Sequence, residues 1–196
     1  MAEYKIALIG DVGVGKSSIF SRLIKGIYEE NQATIGFFQD NFQIHENSEV
    51  YTITVFDTSG NPNTREFITS FIRNCHAILY VYDCMSYKSF KEIDIWHNQV
   101  AEKILFDIPL KFLIQAKSDL IPEAKNLSNY DEFMSEVNDF CTMKGLIKCD
   151  LSSKTGNGFT ELKTLLIQQL VKINKVRELI PIPKPDDPNK KKSNCC

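Results

Sequence analysis

The sequence predicts an α/β domain: a six-stranded, mostly parallel sheet with one antiparallel strand and helices on both faces. Three observations lead there. Apolar runs of strand length alternate with stretches whose apolar residues recur at helical spacing. Two strand-like segments, about 38–45 and 50–56, are joined by Glu46-Asn47-Ser48-Glu49, a hairpin turn that makes them antiparallel. Gly10-Asp11-Val12-Gly13-Val14-Gly15-Lys16-Ser17-Ser18 follows the first apolar run, where a glycine-rich loop would connect a strand to a helix.

Taken in order, Tyr4, Ile6 and Leu8 with Ala7 and Ile9 form a buried strand ending at Gly10. Ile19, Phe20, Leu23, Ile24 and Ile27 then place one apolar stripe on a helix from Lys16 to Lys25, stopped by Gly26. Residues 27–36 lose periodicity and form a loop ending in Thr34-Ile35-Gly36. After the hairpin, Asp57-Thr58-Ser59-Gly60 closes the strand and puts a carboxylate at its C-terminal end, where α/β sheets bind ligands. A polar segment, Asn61 to Glu66, leads into a short helix from Phe67 to Arg73. Ala77 to Asp83 is a buried strand, and Phe90, Ile93, Trp96, Val100 and Ile104 form the inner stripe of a long helix broken by Pro109. The alternation continues with a strand at Lys111 to Gln115, a helix near 131–143, a strand at Leu146 to Cys149, and a last helix with Phe159, Leu162, Leu165, Leu166, Leu170 and Ile173 inward.

Length and composition bound the rest. At 196 residues the chain fits one domain, over residues 1–176. Four of the seven prolines fall after Arg177, followed by Lys190-Lys191-Lys192 and a terminal Cys195-Cys196. Residues 177–196 therefore read as an extended tail. A net charge of −2 argues against nucleic acid as a partner. No secretory signal or run of 18 apolar residues is present, so a cytosolic protein is expected. The cysteines show no metal spacing, and the spacing of His45, His76 and His97 suggests structural or exposed roles rather than ligation.

The loop at 10–18 has the G-x-x-x-x-G-K-S spacing of a P-loop. Its glycines let the backbone N–H groups of Asp11 to Ser18 surround phosphate oxygens. Lys16 meets the β/γ-phosphates, the Ser17 hydroxyl holds Mg²⁺, and the helix N-terminus adds positive potential. With such a loop upstream, Asp57 reads as a carboxylate that reaches Mg²⁺ through water, and the Gly60 N–H as a γ-phosphate contact. A hydroxyl such as that of Thr34 on the same Mg²⁺ would order its loop only while the γ-phosphate is present. Ala116-Lys117-Ser118-Asp119 and Ser152-Ser153-Lys154 both follow strands at the ligand end of the sheet. A carboxylate there can accept the two N–H donors of a guanine edge, and the Lys117 stem can lie over the base.

Together with A-T-I-G at 33–36, F-D-T-S-G at 56–60 and R-E-F-I-T-S-F-I-R-N-C-H at 65–76, these motifs resemble the Ras superfamily of small GTPases, and within it the Rab family. The resemblance implies a P-loop NTPase (Ras-like) fold and a GTP/GDP switch with Mg²⁺. It assigns guanine recognition to Lys117 and Asp119, base-loop support to Ser152, Ser153 and Lys154, base stacking to Tyr28, and Mg²⁺ ligation to Ser17 and Thr34. It further implies a monomer whose residues 27–38 and 58–71 meet effectors, exchange factors and activating proteins. Cys195 and Cys196 match a double-cysteine prenylation signal, which would anchor the chain to the cytosolic face of intracellular membranes; two lipid chains, or one with a basic patch, hold stably.

Three positions depart from the family pattern. Asn61 stands where the water-orienting Gln is usual; it is one methylene shorter, which predicts slow hydrolysis with Gly60 and Lys16 still in place. Val12 stands where Gly or Ser is usual and projects toward the γ-phosphate, predicting a poor response to an activating arginine. Ala116 replaces the Asn that links base and P-loop, predicting easier nucleotide exchange. Gln39 and Phe56 also differ from the usual Phe and Trp of a surface aromatic trio completed by Phe71. Two readings follow: a membrane-anchored switch, or a GTP-loaded adaptor that scarcely hydrolyses and is regulated by exchange or membrane extraction.

Overall fold

In the computed structural model, which describes residues 2–30, 32–46, 48–103 and 110–179, six strands form a single sheet. They are β1 (Ala2–Ile9), β2 (Phe37–Glu46), β3 (Glu49–Thr58), β4 (Ala77–Asp83), β5 (Leu110–Ala116) and β6 (Ile147–Leu151). Their spatial order is β2-β3-β1-β4-β5-β6, and every neighbouring pair is parallel except β2–β3. This is the predicted fold class, with β2 as the one antiparallel strand. Glu46 pairs with Glu49, and Ser48, just ahead of β3, has φ 65°. A positive φ there matches the right-handed twist of the two strands.

The helices are α1 (Lys16–Lys25), α2 (Arg65–Phe71), α3 (Tyr87–Lys103), α4 (Ile121–Ala124), α5 (Tyr130–Lys144) and α6 (Phe159–Leu179). Because successive strand residues point to opposite faces, the sheet feeds two cores. Tyr4, Ile6, Leu8, Val55, Leu79 and Ile114 pack against Ile19 and Leu23 of α1 and Leu162, Leu166 and Leu170 of α6. Ala7, Ile9, Ile78, Tyr80 and Leu113 pack against Ile68 of α2, Phe90, Ile93, Trp96 and Val100 of α3, and Phe133, Val137 and Phe140 of α5. Helix α1 has the predicted bounds; Gly26 caps it in the left-handed conformation and returns its N–H to the Arg22 carbonyl.

The structure corrects two element boundaries. Strand β6 is Ile147–Leu151, not 146–149; Leu146 is buried ahead of it, and the shift brings Ser152 directly to the strand end. Helix α2 starts at Arg65, not Phe67. The Asn61 side chain and Pro62 first start a single tight turn, Pro62–Thr64. The Arg65 guanidinium then pairs with Glu92 of α3 and lies 4.8 Å over the Trp96 ring. Helix α6 continues to Leu179, three residues past 176. Asn47, Ile104, Pro109, Lys190–Lys192, Cys195 and Cys196 lie outside the described residues, as do the side chains of Phe71 and Ile173. The short α4 after β5 was not foreseen; Pro122 sits in its first turn, a position that proline tolerates.

Strands β1, β3, β4, β5 and β6 all run the same way, so their C-terminal ends share one edge of the sheet. The loops leaving that edge carry residues 10–18, Gly60, Asn61, Lys117, Asp119 and Ser152 to Lys154, and the loop after α1 brings Tyr28 and Thr34 to it.

Candidate functional site

The loop between β1 and α1 is held by its own lysine. Lys16 is 5% exposed, and its ammonium donates to the carbonyls of Gly10 at 2.9 Å and Asp11 at 2.7 Å. Burial lowers its pKa to about 8, against the carboxylates of Asp57 and Asp11, which raise it. Gly10 has to be glycine: a Cβ there would stand 2.1 Å from the Val81 carbonyl oxygen of neighbouring β4. The Val12 N–H donates to Asp11 Oδ1 at 2.7 Å, and the Val12 side chain is 56% exposed.

Beneath the loop, Ser17, Thr34 and Asp57 meet. Ser17 Oγ and Thr34 Oγ1 are 2.9 Å apart, and Thr34 Oγ1 donates to Asp57 Oδ2 at 3.1 Å. Burial raises the Asp57 pKa, opposed by hydrogen bonding from Ser17, the Lys16 charge and hydrogen bonding from Thr34. Asp57 Oδ1 is buried with no hydrogen-bond partner among the described residues. Two hydroxyls and a carboxylate with an orphaned buried oxygen make an all-oxygen donor set, which fits Mg²⁺ and the waters it retains.

A cleft of about 710 Å³ joins these parts; it is lined by Val12, Gly13, Gly15, Lys16, Ser17, Ser18, Tyr28, Thr34, Gly60, Asn61 and Lys117. Gly60 packs directly on the phosphate loop, since a Cβ would lie 2.5 Å from the Val12 nitrogen. Asn61 is drawn into its own turn. Its Oδ1 accepts the Asn63 N–H at 3.0 Å, its carbonyl accepts from Thr64 N and Oγ1, and its N–H donates to Ser59 Oγ.

A second cavity, about 290 Å³, is lined by Gly15, Ser18, Tyr28, Ala116, Lys117, Asp119, Leu120, Ser153 and Lys154. It shares Gly15, Ser18, Tyr28 and Lys117 with the first. Four predicted residues do not line either cavity: Asp57, buried beneath the loop, and three others. Val14 turns its side chain into the core and can offer a ligand only its backbone, and Asp11 Oδ1 accepts the Val12 N–H within the loop. Ser152 is fully buried and donates to Asp119 Oδ1 at 2.6 Å; it orients the carboxylate instead of facing the cavity. Asp83 was missed by the sequence reading: its Oδ2 pairs with Lys117 Nζ at 2.7 Å. The available signal was its place at the end of an apolar strand, the same as that of Asp57.

Beside the cleft the Phe37 ring lies 6.0 Å from Phe56 and 6.3 Å from Phe67. Gln39 pairs with Phe56 across the hairpin, so Phe37 and Phe67 supply the aromatic surface there. Of the histidines, His76 Nδ1 accepts the Lys5 N–H, and His97 is packed against Tyr80 and Phe140.

A family model described as Ras family matches residues 5–172 of the chain. The chain is 27% identical over 185 residues to the GTP-binding protein YPT52 of Saccharomyces cerevisiae, covering 83% of this chain and 79% of that protein. It is 29% identical over 170 residues to the Ras-related protein RabC of Dictyostelium discoideum, covering 85% and 83%. To the Ras-related protein Rab-1D of the same organism it is 26% identical over 192 residues, covering 97% and 90%.

Proposed function

The chain belongs to the Ras family and is a divergent, Rab-like small GTPase, and we propose that it acts as a GTP/GDP switch of vesicular membrane traffic with slow intrinsic hydrolysis. The observation that carries this reading is the pair of cavities sharing Gly15, Ser18, Tyr28 and Lys117, as one nucleotide spanning both requires. Its phosphates fit the 10–18 loop and Lys16; its base fits against Tyr28 and the Lys117 stem, with both guanine N–H donors on Asp119. Ser17 and Thr34, with Asp57 through water, would hold Mg²⁺, which supplies charge neutralisation to the phosphates. Residues 27–38 and 58–71, which flank the γ-phosphate end, are the surfaces for effectors, exchange factors and activating proteins. Prenylation of Cys195 and Cys196, next to Lys190–Lys192, would hold the monomer on a cytosolic membrane face.

Identification of the nucleotide that copurifies with the full-length chain tests the reading. Guanine nucleotide in near-stoichiometric amount is expected; ATP would overturn it. A pH titration tests the phosphate end separately. Bound phosphate requires the Lys16 ammonium, which the free protein sheds above about pH 8. The complex therefore carries the extra proton, and GDP affinity should fall as pH rises past that value, approaching about tenfold per unit. A flat profile from pH 7 to 9 would show that the charge is not needed.

The geometry of Asn61 favours a second reading, a GTP-loaded adaptor governed by exchange or membrane extraction. Its acceptor oxygen caps the Pro62–Thr64 turn and is not turned toward an attacking water.

A further inference from the structure

The segment that reads the base, 116–119, has no polar link to the phosphate loop through Ala116. That side chain is 2% exposed, and its methyl lies 3.9 Å from where a Cβ on Gly15 would stand. The segment nevertheless holds a demanding shape. Lys117 has φ 58° and ψ 39°, a left-handed conformation that a side-chain-bearing residue keeps only where its surroundings impose it.

The constraint comes from the end of β4. Asp83 stands opposite Ala116 in the sheet. The Cys84 N–H donates to the Ala116 carbonyl at 3.2 Å, and the Cys84 thiol donates to the Lys117 carbonyl at 3.1 Å. Asp83 accepts the Met85 N–H on Oδ1 at 2.9 Å and the Lys117 ammonium on Oδ2 at 2.7 Å. Its carboxylate is thus fixed from both sides. Cys84 is fully buried, and burial pushes its thiol pKa up to about 12, so the sulfur keeps the proton it donates.

We infer that Asp83 and Cys84 are positioning residues for base recognition, holding the 116–119 segment from the sheet side where, among the described residues, no side-chain hydrogen bond ties it to the phosphate loop. The inference rests on the guanine reading of Asp119. With the αL residue fixed, Asp119 projects into the base cavity, and Ser152 sets the rotation of its carboxylate.

Nucleotide release from the full-length protein tests it, with GDP compared against inosine diphosphate, which lacks the exocyclic amino group and so has one bond fewer to give Asp119. Cys84→Ala should speed GDP release roughly five- to tenfold and inosine diphosphate release only about twofold, as loss of one positioning hydrogen bond implies. Cys84→Ser should restore slow GDP release. In an Ala116→Asn background, which adds a second tether, the Cys84→Ala effect should shrink to about twofold. Should Cys84→Ala not fold, Asp83→Asn, which keeps the volume and removes the charge facing Lys117, should give the same selective acceleration. Equal acceleration of both nucleotides, or none, overturns the inference, since a merely structural role would not tell them apart. Failure of the natural chain to prefer GDP over inosine diphosphate would overturn the guanine reading, and the inference with it.

Discussion

Exchanging Asp119 for Asn is expected to weaken GDP binding by about 10³-fold and to raise the relative affinity for xanthosine diphosphate. In the proposed site both carboxylate oxygens would accept from guanine, and Ser152 Oγ, at 2.6 Å from Oδ1, fixes which way they face. An Asn keeps the shape and can still pair with Ser152, but it offers guanine one acceptor and one donor where guanine offers two donors. One charge-assisted bond, worth about 1.5–3 kcal/mol, is lost, and an unpaired donor costs about 1–3 kcal/mol more. The sum, roughly 2.5–6 kcal/mol, is on the order of 10²–10⁴ in affinity. Xanthine carries a carbonyl in place of the exocyclic amine, so the new amide donor finds a partner. Competition titration with both diphosphates reads the change; a GDP affinity within tenfold of the natural chain would mean that Asp119 does not read the base.

The path from sequence to site was uneven, for physical reasons. Strand β4 and helix α1 were legible to the residue because an uninterrupted apolar run and a helical stripe ended by Gly26 leave little choice. Motif positions were legible too, since strand ends fix where loops emerge. What sequence spacing does not carry is direction. Val14 and Ser152 sit inside recognised motifs, yet one side chain enters the core and the other turns under Asp119. Which way each points is set by the packing of neighbouring strands, not by local pattern. Asp83 and Cys84 escaped notice for the same reason: their partners lie 34 and 33 residues away in sequence and meet them only once β4 and β5 pair. The start of α2 moved because an Asn-Pro pair can begin a tight turn by side-chain capping, which apolar periodicity does not register.

Asn61 shows how that kind of detail reaches function. A residue that orients an attacking water must accept one of its protons. The sequence argues that Asn is too short for this by one methylene. The structure adds that its acceptor is committed, because Oδ1 takes the Asn63 N–H at 3.0 Å while the backbone of Asn61 is bound to Ser59 and Thr64. What remains is the second lone pair of an Oδ1 already held in the turn, and an amide N–H₂ that can only donate. Asn61→Gln lengthens the side chain past the turn and is expected to raise single-turnover GTP hydrolysis by about 10²-fold, the scale of a misplacement of about 1 Å. The lost cap costs the turn about 1 kcal/mol, which the Arg65–Glu92 pair and the buried Ile68 and Ile72 should absorb. Val12→Ser addresses a different barrier. The exposed Val12 side chain shares the cleft with Gly60 and Asn61 and fills space that a donated arginine needs, so this exchange alone should change the intrinsic rate by only about twofold. Combined with Asn61→Gln it should admit the further stimulation, on the order of 10³–10⁵, that an arginine-donating activator provides. If Asn61→Gln leaves hydrolysis unchanged, the rate is limited elsewhere, and the capped amide is a feature of the turn alone.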